Sequence, residues 1–314
     1  MSGPKTPSLI DMKSKRIIIT GATSGLGKES AIALAKLGAE IVLAVRDVDK
    51  GEVVKNEILK QTPSAKLEVS KLDLMDLDSV KSFAASQSSR PVDILLNNAG
   101  IMAVPFERSK DGFESQMATN HLGHFLLTQL LFEAIGKGTN PRIINVASSA
   151  HRLGKLKNGD AKELNVDEAS YSPWTVYGNT KLVNLLFTSE LARRLKLINS
   201  NIITAVAHPG YANTNLQFVA ATKKSGKLKG VELQVTKALN MIFGQSAANG
   251  ALPQIAACTW TDTYSGDYFG PQGLLEARGK PKKVGMSKLA RNNELAQRVW
   301  CASEELTGVT FLHG

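Results

Sequence analysis

The feature that most constrains this chain is an alternation that starts at Lys15. Short runs rich in β-branched residues are separated by longer amphipathic stretches. KRIIIT precedes a helical stretch at 25–37, EIVLAVR one at 47–61, and KLEVSKLDL one at 76–88. VDILLNN, RIINVASS and NIITAVAH continue the series. Strands joined through helices run parallel, because a hairpin cannot connect parallel neighbours. The runs are apolar almost throughout rather than at alternate positions, so both faces of the sheet must be covered. The expectation is an α/β fold, a doubly wound parallel sheet with helices on both faces. Ligands of such a sheet bind beyond the carboxyl ends of its strands.

Length and composition bound the rest. A chain of 314 residues suits one large domain. Residues 1–14 read as an N-terminal extension and 15–314 as the single domain. Within it, 215–314 is expected to form a substrate lid and C-terminal region, with helices near 217–229 and 231–244 and a short aromatic run, GDYFGP. Cys258 and Cys301 form no CxxC pair, which argues against a disulfide framework or zinc site and for a reducing compartment. The opening MSGPKTPSLIDMKSK has no apolar run, and 238–261, although uncharged, is broken by Asn, Gln, Gly and Pro. A cytoplasmic protein without a transmembrane segment is expected, open to peripheral membrane contact. The net charge is +10, and residues 222–291 hold 11 Lys/Arg against four Asp/Glu. With no nucleic-acid motif and few interleaved aromatics, this excess reads as a solvated face rather than a nucleic-acid surface.

The segment IIITGATSGLG places Gly21, Gly25 and Gly27 directly after the first strand and at the opening of the first helix. Small residues there let the backbone approach a pyrophosphate, and the helix N-terminus offers free N–H groups to it. This is a Rossmann-type cofactor turn, formed with Ser24 and Leu26. The second strand ends VLAVRD, with Arg46 where NAD enzymes carry an acidic residue for the ribose hydroxyls. Arg46 can bind a 2′-phosphate through two charge-assisted hydrogen bonds, Lys28 can add a cation, and Asp47 can cap the next helix. NADP(H) is therefore expected in preference to NAD(H).

In YGNTK, Tyr177 and Lys181 are four apart on a helix that Ser172 and Pro173 start well, so they share a face. A neighbouring ammonium and an oxidised nicotinamide would both favour the phenolate. TGATSGLG at 20–27, NNAG at 97–100, Ser148-Ser149 after RIINVA, YGNTK at 177–181 and HPG at 208–210 occur in that order. Together they resemble the short-chain dehydrogenase/reductase family over 15–214. The resemblance implies Tyr177 as acid/base, Lys181 beside it, and the second serine of the pair, Ser149, on the substrate oxygen. It further implies Asn120 holding a water that links Lys181 to solvent. Asp73 and Leu74 would lie by the adenine, Asn97 and Gly100 along the adenosine side or stiffening the fourth strand. Pro209 and Gly210 would bind the cofactor, and Thr214 the carboxamide. No metal is implied, and His121, His124, His151 and His208 read as packing or local structure.

The segment 150–176, with LAVRD, AHPG and VWCASEELTGV, is similar to the retinol-dehydrogenase-like branch, which includes the WW-domain oxidoreductases. That implies an oxidoreductase for lipophilic carbonyls and alcohols. Phe218, Trp260, Tyr264, Tyr268 and Phe269 are candidates to line its pocket, with core packing as their other reading. A homo-oligomer is the family's implication for assembly. The competing functional readings are a non-catalytic NADP-binding regulatory or scaffold protein, and a module binding nucleic acid or anionic membrane through the basic last third.

Overall fold

The apolar runs become β1 (Arg16–Thr20), β2 (Glu40–Val45), β3 (Lys66–Lys71), β4 (Ile94–Asn97), β5 (Arg142–Val146) and β6 (Ile203–Ala207) in a computed structural model of the chain. It describes residues 7–210 and 245–312; Thr214, Phe218 and the helices predicted at 217–229 and 231–244 lie outside the described residues. GDYFGP supplies β7 (Tyr268–Pro271), and β8 (Pro281–Lys283) follows it. The sheet runs β3-β2-β1-β4-β5-β6-β7-β8, parallel throughout except for the antiparallel β7–β8 pair. Chain order reverses between β1 and β4, so a crevice opens beyond their carboxyl ends.

Side-chain alternation along the strands builds two cores. Ile18, Val42 and Ala44 face one side, where α3 (Leu77–Gln87), α5 (Gly123–Gly136), α7 (Pro173–Leu197) and α9 (Asn293–Thr307) cover them. Ile17, Ile19, Ile41 and Leu43 face the other, under α1 (Gly25–Lys36), α2 (Val48–Gln61) and α8 (Ala247–Thr259). Coverage of both faces is why no polar alternation was visible in these strands. The short helices α4 (Ser115–Met117) and α6 (Ala161–Leu164) complete the chain order, and a π turn, Ala118–Leu122, joins α4 to α5.

In the region expected to form lid and C-terminal part, the described residues belong to the sheet and its helical layers. The uncharged stretch before Thr261 is largely α8, packed on β5, β6 and β7. No helix among the described residues is long and apolar enough to cross a membrane. Of the N-terminal extension, Met12 is buried, and the Ile10 N–H donates to the Thr259 carbonyl at 2.8 Å.

Candidate active site

The turn between β1 and α1 lies at the point where strand order reverses. Gly21 and Gly25 sit at φ of +68° and +55°, where a side chain would be strained. A Cβ on Gly27 would stand 2.5 Å from both the Gly21 carbonyl oxygen and Asn98 Nδ2. Ser24 occupies the N-cap position of α1 without a side-chain bond to the helix, and Leu26 is buried in its first turn. The first amides of a twelve-residue helix thus remain as donors at its positive end. A phosphate-bearing cofactor fits this cradle.

At the ends of β2 and β3 the charges sort themselves. The Asp47 carboxylate accepts from the Lys50 N–H at 3.1 Å and pairs with Lys50 Nζ at 2.8 Å, so it caps α2 as anticipated. Lys28 is paired with Glu57 on α2. Arg46 is exposed and its guanidinium has no ion pair among the described residues. Lys71, opposite Val45 in the β2–β3 ladder, donates to the Arg46 carbonyl. It brings a second cation to this corner. No spacing in the sequence points to it, because strand pairing makes Lys71 a neighbour of Arg46.

Tyr177 and Lys181 lie one turn apart on α7, which begins with Pro173 after Ser172. Both are buried, and Lys181 Nζ is 5.6 Å from the Tyr177 ring centre. The lysine donates to the Val146 carbonyl at 3.2 Å, and burial lowers its pKa from 10.5 to about 8. Burial likewise pushes the Tyr177 phenol up to about 12, opposed by a side-chain hydrogen bond with Ser148. In the protein without its cofactor, desolvation thus dominates the Tyr177 phenol.

The serine assignment is corrected. Ser148, not Ser149, meets the Tyr177 hydroxyl, while Ser149 is exposed at the start of a 3-10 turn, Ser149–Leu153. Ser148 has extended backbone (φ −155°, ψ 156°), so its neighbour points away, and its Oγ accepts from the Ala150 N–H at 3.2 Å. Asn120 sits in the π turn, but its side chain is already engaged. Oδ1 accepts from the Ile101 N–H at 2.8 Å, and Nδ2 donates to the Ile101 carbonyl and to Thr180 Oγ1, each at 2.9 Å. Gly100 is the small residue between them: a Cβ there would lie 3.1 Å from Asn120 Oδ1 and 3.4 Å from Lys181 Nζ.

The remaining expected residues divide. Asn97 Nδ2 donates to Thr128 Oγ1 on α5 at 3.1 Å and to Asn145 Oδ1 on β5 at 2.9 Å, contacts that match the strand-stiffening alternative. Its neighbour Asn98 was missed: Nδ2 donates to the Thr20 carbonyl at 2.8 Å and so braces the glycine turn. The Asp73 carboxylate accepts from the Met75 N–H at 3.0 Å, and the buried Leu74 packs so close to α5 that a Cβ on Gly123 would lie 2.7 Å from its carbonyl oxygen. Pro209 accepts from Gln245 Nε2 at 2.6 Å, and Gly210 (φ +68°) donates to His208 Nδ1 at 3.2 Å. Among the described residues, the candidate pocket aromatics do not form one cluster. Trp260 packs on Phe269, Tyr268 lies between His151 and His208, and Tyr264 is exposed beneath Lys283.

A family model for short chain dehydrogenases matches residues 15–158. Retinol dehydrogenase 12 of Homo sapiens is 36% identical over 306 residues, covering 96% of this chain and 89% of that protein. Retinol dehydrogenase 13 of Mus musculus is 35% identical over 316 residues, covering 100% and 90%. A crystal structure of an uncharacterized protein from Mycobacterium Paratuberculosis has a TM-score of 0.78 at 38% identity, covering 96% of this chain and 97% of that one. With the doubly wound sheet, the glycine cradle and the tyrosine–lysine helix in place, the chain belongs to the short-chain dehydrogenase/reductase family, in its retinol-dehydrogenase-like branch, and is an oxidoreductase.

Proposed function

We propose that this oxidoreductase interconverts a lipophilic aldehyde or ketone and its alcohol using NADP(H), with Tyr177 transferring the proton. The observation that carries the reading is the buried Tyr177 hydroxyl meeting Ser148, one helical turn from Lys181. The cofactor, when bound, supplies or accepts the hydride. Gly21, Ser24, Gly25, Leu26 and Gly27 would hold its phosphates. Asp73 and Leu74 would lie beside its adenine, and Pro209, Gly210 and Thr214 at its nicotinamide end. Arg46 and Lys71 would take the 2′-phosphate, two cations at a corner where the neighbouring acid, Asp47, is committed to its cap.

A phenol held near pKa 12 is protonated at neutral pH and ready to act as an acid. It donates to the carbonyl oxygen while Ser148 Oγ bonds the same oxygen and steadies the developing negative charge. The charge on Lys181 then favours the phenolate left behind. Proton resupply runs past Lys181 to Asn120. Because the Asn120 amide is fully engaged with Ile101 and Thr180, the main-chain carbonyl of Asn120 is the atom left to hold a relay water. The names of the retinol dehydrogenase relatives support a lipophilic alcohol or aldehyde as substrate class.

The test is a panel of aldehydes and ketones, following NADPH and NADH consumption side by side, with Tyr177→Phe and Ser148→Ala as controls. The expected result is faster turnover with NADPH and a loss of at least about a hundredfold in either variant. Undiminished turnover in Tyr177→Phe refutes the mechanism, and faster turnover with NADH refutes the cofactor preference.

A further inference from the structure

Thr20 ends β1 and is fully buried. Its Oγ1 accepts two backbone hydrogen bonds, from the Asn98 and Ala99 N–H groups, both at 2.9 Å. A hydroxyl has two acceptor positions and one proton, so both lone pairs are used and the O–H must be given away. Two acceptors are within reach: the Leu96 carbonyl at 3.5 Å and His124 Nε2 at 2.8 Å. The shorter contact takes the proton. His124 Nε2 is then an acceptor, and the neutral ring carries its hydrogen on Nδ1. That nitrogen lies 3.3 Å from the main-chain carbonyl oxygen of Asn120. The geometry of Thr20 alone thus selects one tautomer. Burial lowers the pKa of His124 to about 4 and so keeps the ring neutral.

The two ends of this imidazole belong to different halves of the site. Thr20 is the last residue before the glycine turn and is tied to NNAG. Asn120 grips the residue after NNAG and lies across Gly100 from Lys181 Nζ. A π turn sits where the contact is made, and such turns open the regular carbonyl ladder of a helix. His121, three residues earlier on the same segment, takes no part: it bonds Ser303 Oγ at 2.7 Å among Phe125 and Phe187. A histidine serving only as core filler would need neither a saturated hydroxyl on one side nor the relay carbonyl on the other.

We propose that His124 is a positioning residue that couples the cofactor turn to the proton relay, its Nε2 fixing Thr20 and its Nδ1–H fixing the Asn120 carbonyl. The proposal rests on the proton-relay reading given under Proposed function. Two substitutions separate the ends. The terminal amide of His124→Gln reaches as far as Nε2 and can accept from Thr20, but leaves the Asn120 carbonyl without its donor. The shorter amide of His124→Asn can donate to that carbonyl but falls short of Thr20.

The test measures, for both variants and the wild type, NADPH affinity by nucleotide fluorescence and kcat from about pH 5 to about pH 9, with thermal melting alongside. The expected outcome is a split. His124→Gln loses about tenfold in kcat, with a displaced pH profile, and little in NADPH affinity. His124→Asn loses about tenfold in NADPH affinity, with the smaller part of its loss in kcat. Equal losses in both quantities, losses that follow the melting temperature, or no loss in either overturn the proposal. Binding is read without turnover. A wild type that binds NADPH but reduces no carbonyl therefore refutes the functional reading, and the relay half of this proposal with it, while the affinities of the two variants still decide the Thr20 half.

Discussion

Lys181 is buried with a main-chain carbonyl, rather than a carboxylate, as its hydrogen-bond partner. Its pKa falls from 10.5 to about 8, so the folded state holds the charge at a cost. That cost is present in full below about pH 8 and is relieved as pH rises towards the unfolded value. A shift of this size corresponds to about 3 kcal/mol. Lys181→Met should therefore be about 1–3 kcal/mol more stable than wild type in urea at neutral pH, yet lose at least about a hundredfold in kcat/KM. The same titration predicts that carbonyl reduction declines above about pH 8 as the ammonium is lost. Lys181→Arg, whose charge persists, should be slower but without that decline. At the other end of the site, Arg46→Ala or Lys71→Ala should raise KM for NADPH about tenfold while changing that for NADH by less than about twofold. Arg46 can be proposed from the sequence because it stands where an acid is usual. Lys71 and Ser148 cannot: one depends on strand pairing, the other on which of two adjacent side chains turns towards α7.

Elements of regular periodicity could be read directly. The first helices and the parallel strands follow from apolar runs and from caps such as Asp47, which accepts from Lys50, and Asp76, which accepts from Asp78 and Ser79. The aromatic run GDYFGP could not be assigned, because four residues carry no clear period and only the exposed edge of β6 makes them a strand. The π turn at Asn120 has no sequence signature either. Arg142 shows how distant elements are joined: buried at the start of β5, it donates to the Ala257 and Trp260 carbonyls, both at 2.8 Å, at the carboxyl end of α8. A cation there satisfies carbonyls the helix leaves unpaired. Arg142→Met should cost about 2–4 kcal/mol in urea unfolding, because it strands one buried and one partly buried acceptor. A loss below about 0.5 kcal/mol would show that those carbonyls find other partners.

Across the whole molecule, stability should depend on acid partly through two buried histidines on one segment. Burial lowers His121 to about 3 and His124 to about 4 from the usual 6.5, so both stay neutral in the fold while the unfolded chain protonates them. Their contribution is complete above pH 6.5 and is lost as pH falls, at about 1.4 kcal/mol per pH unit for each. Urea midpoints should drop steadily from about pH 6 to about pH 4.5, and His121→Phe should remove about half of the slope these two histidines contribute. An unchanged slope in that variant would place the acid sensitivity elsewhere. The sequence by itself determined the parallel sheet with two covered faces, the glycine turn and the tyrosine–lysine pair, because each is a local pattern: continuous apolar strands, glycines at a strand–helix junction, a four-residue spacing on one helix. Tertiary structure alone decided which serine meets the tyrosine, which cations remain unpaired beside β2, and how His124 joins Thr20 to Asn120. Those are contacts between segments remote in the chain, and their identity depends on register, burial and the saturation of particular hydrogen-bonding atoms.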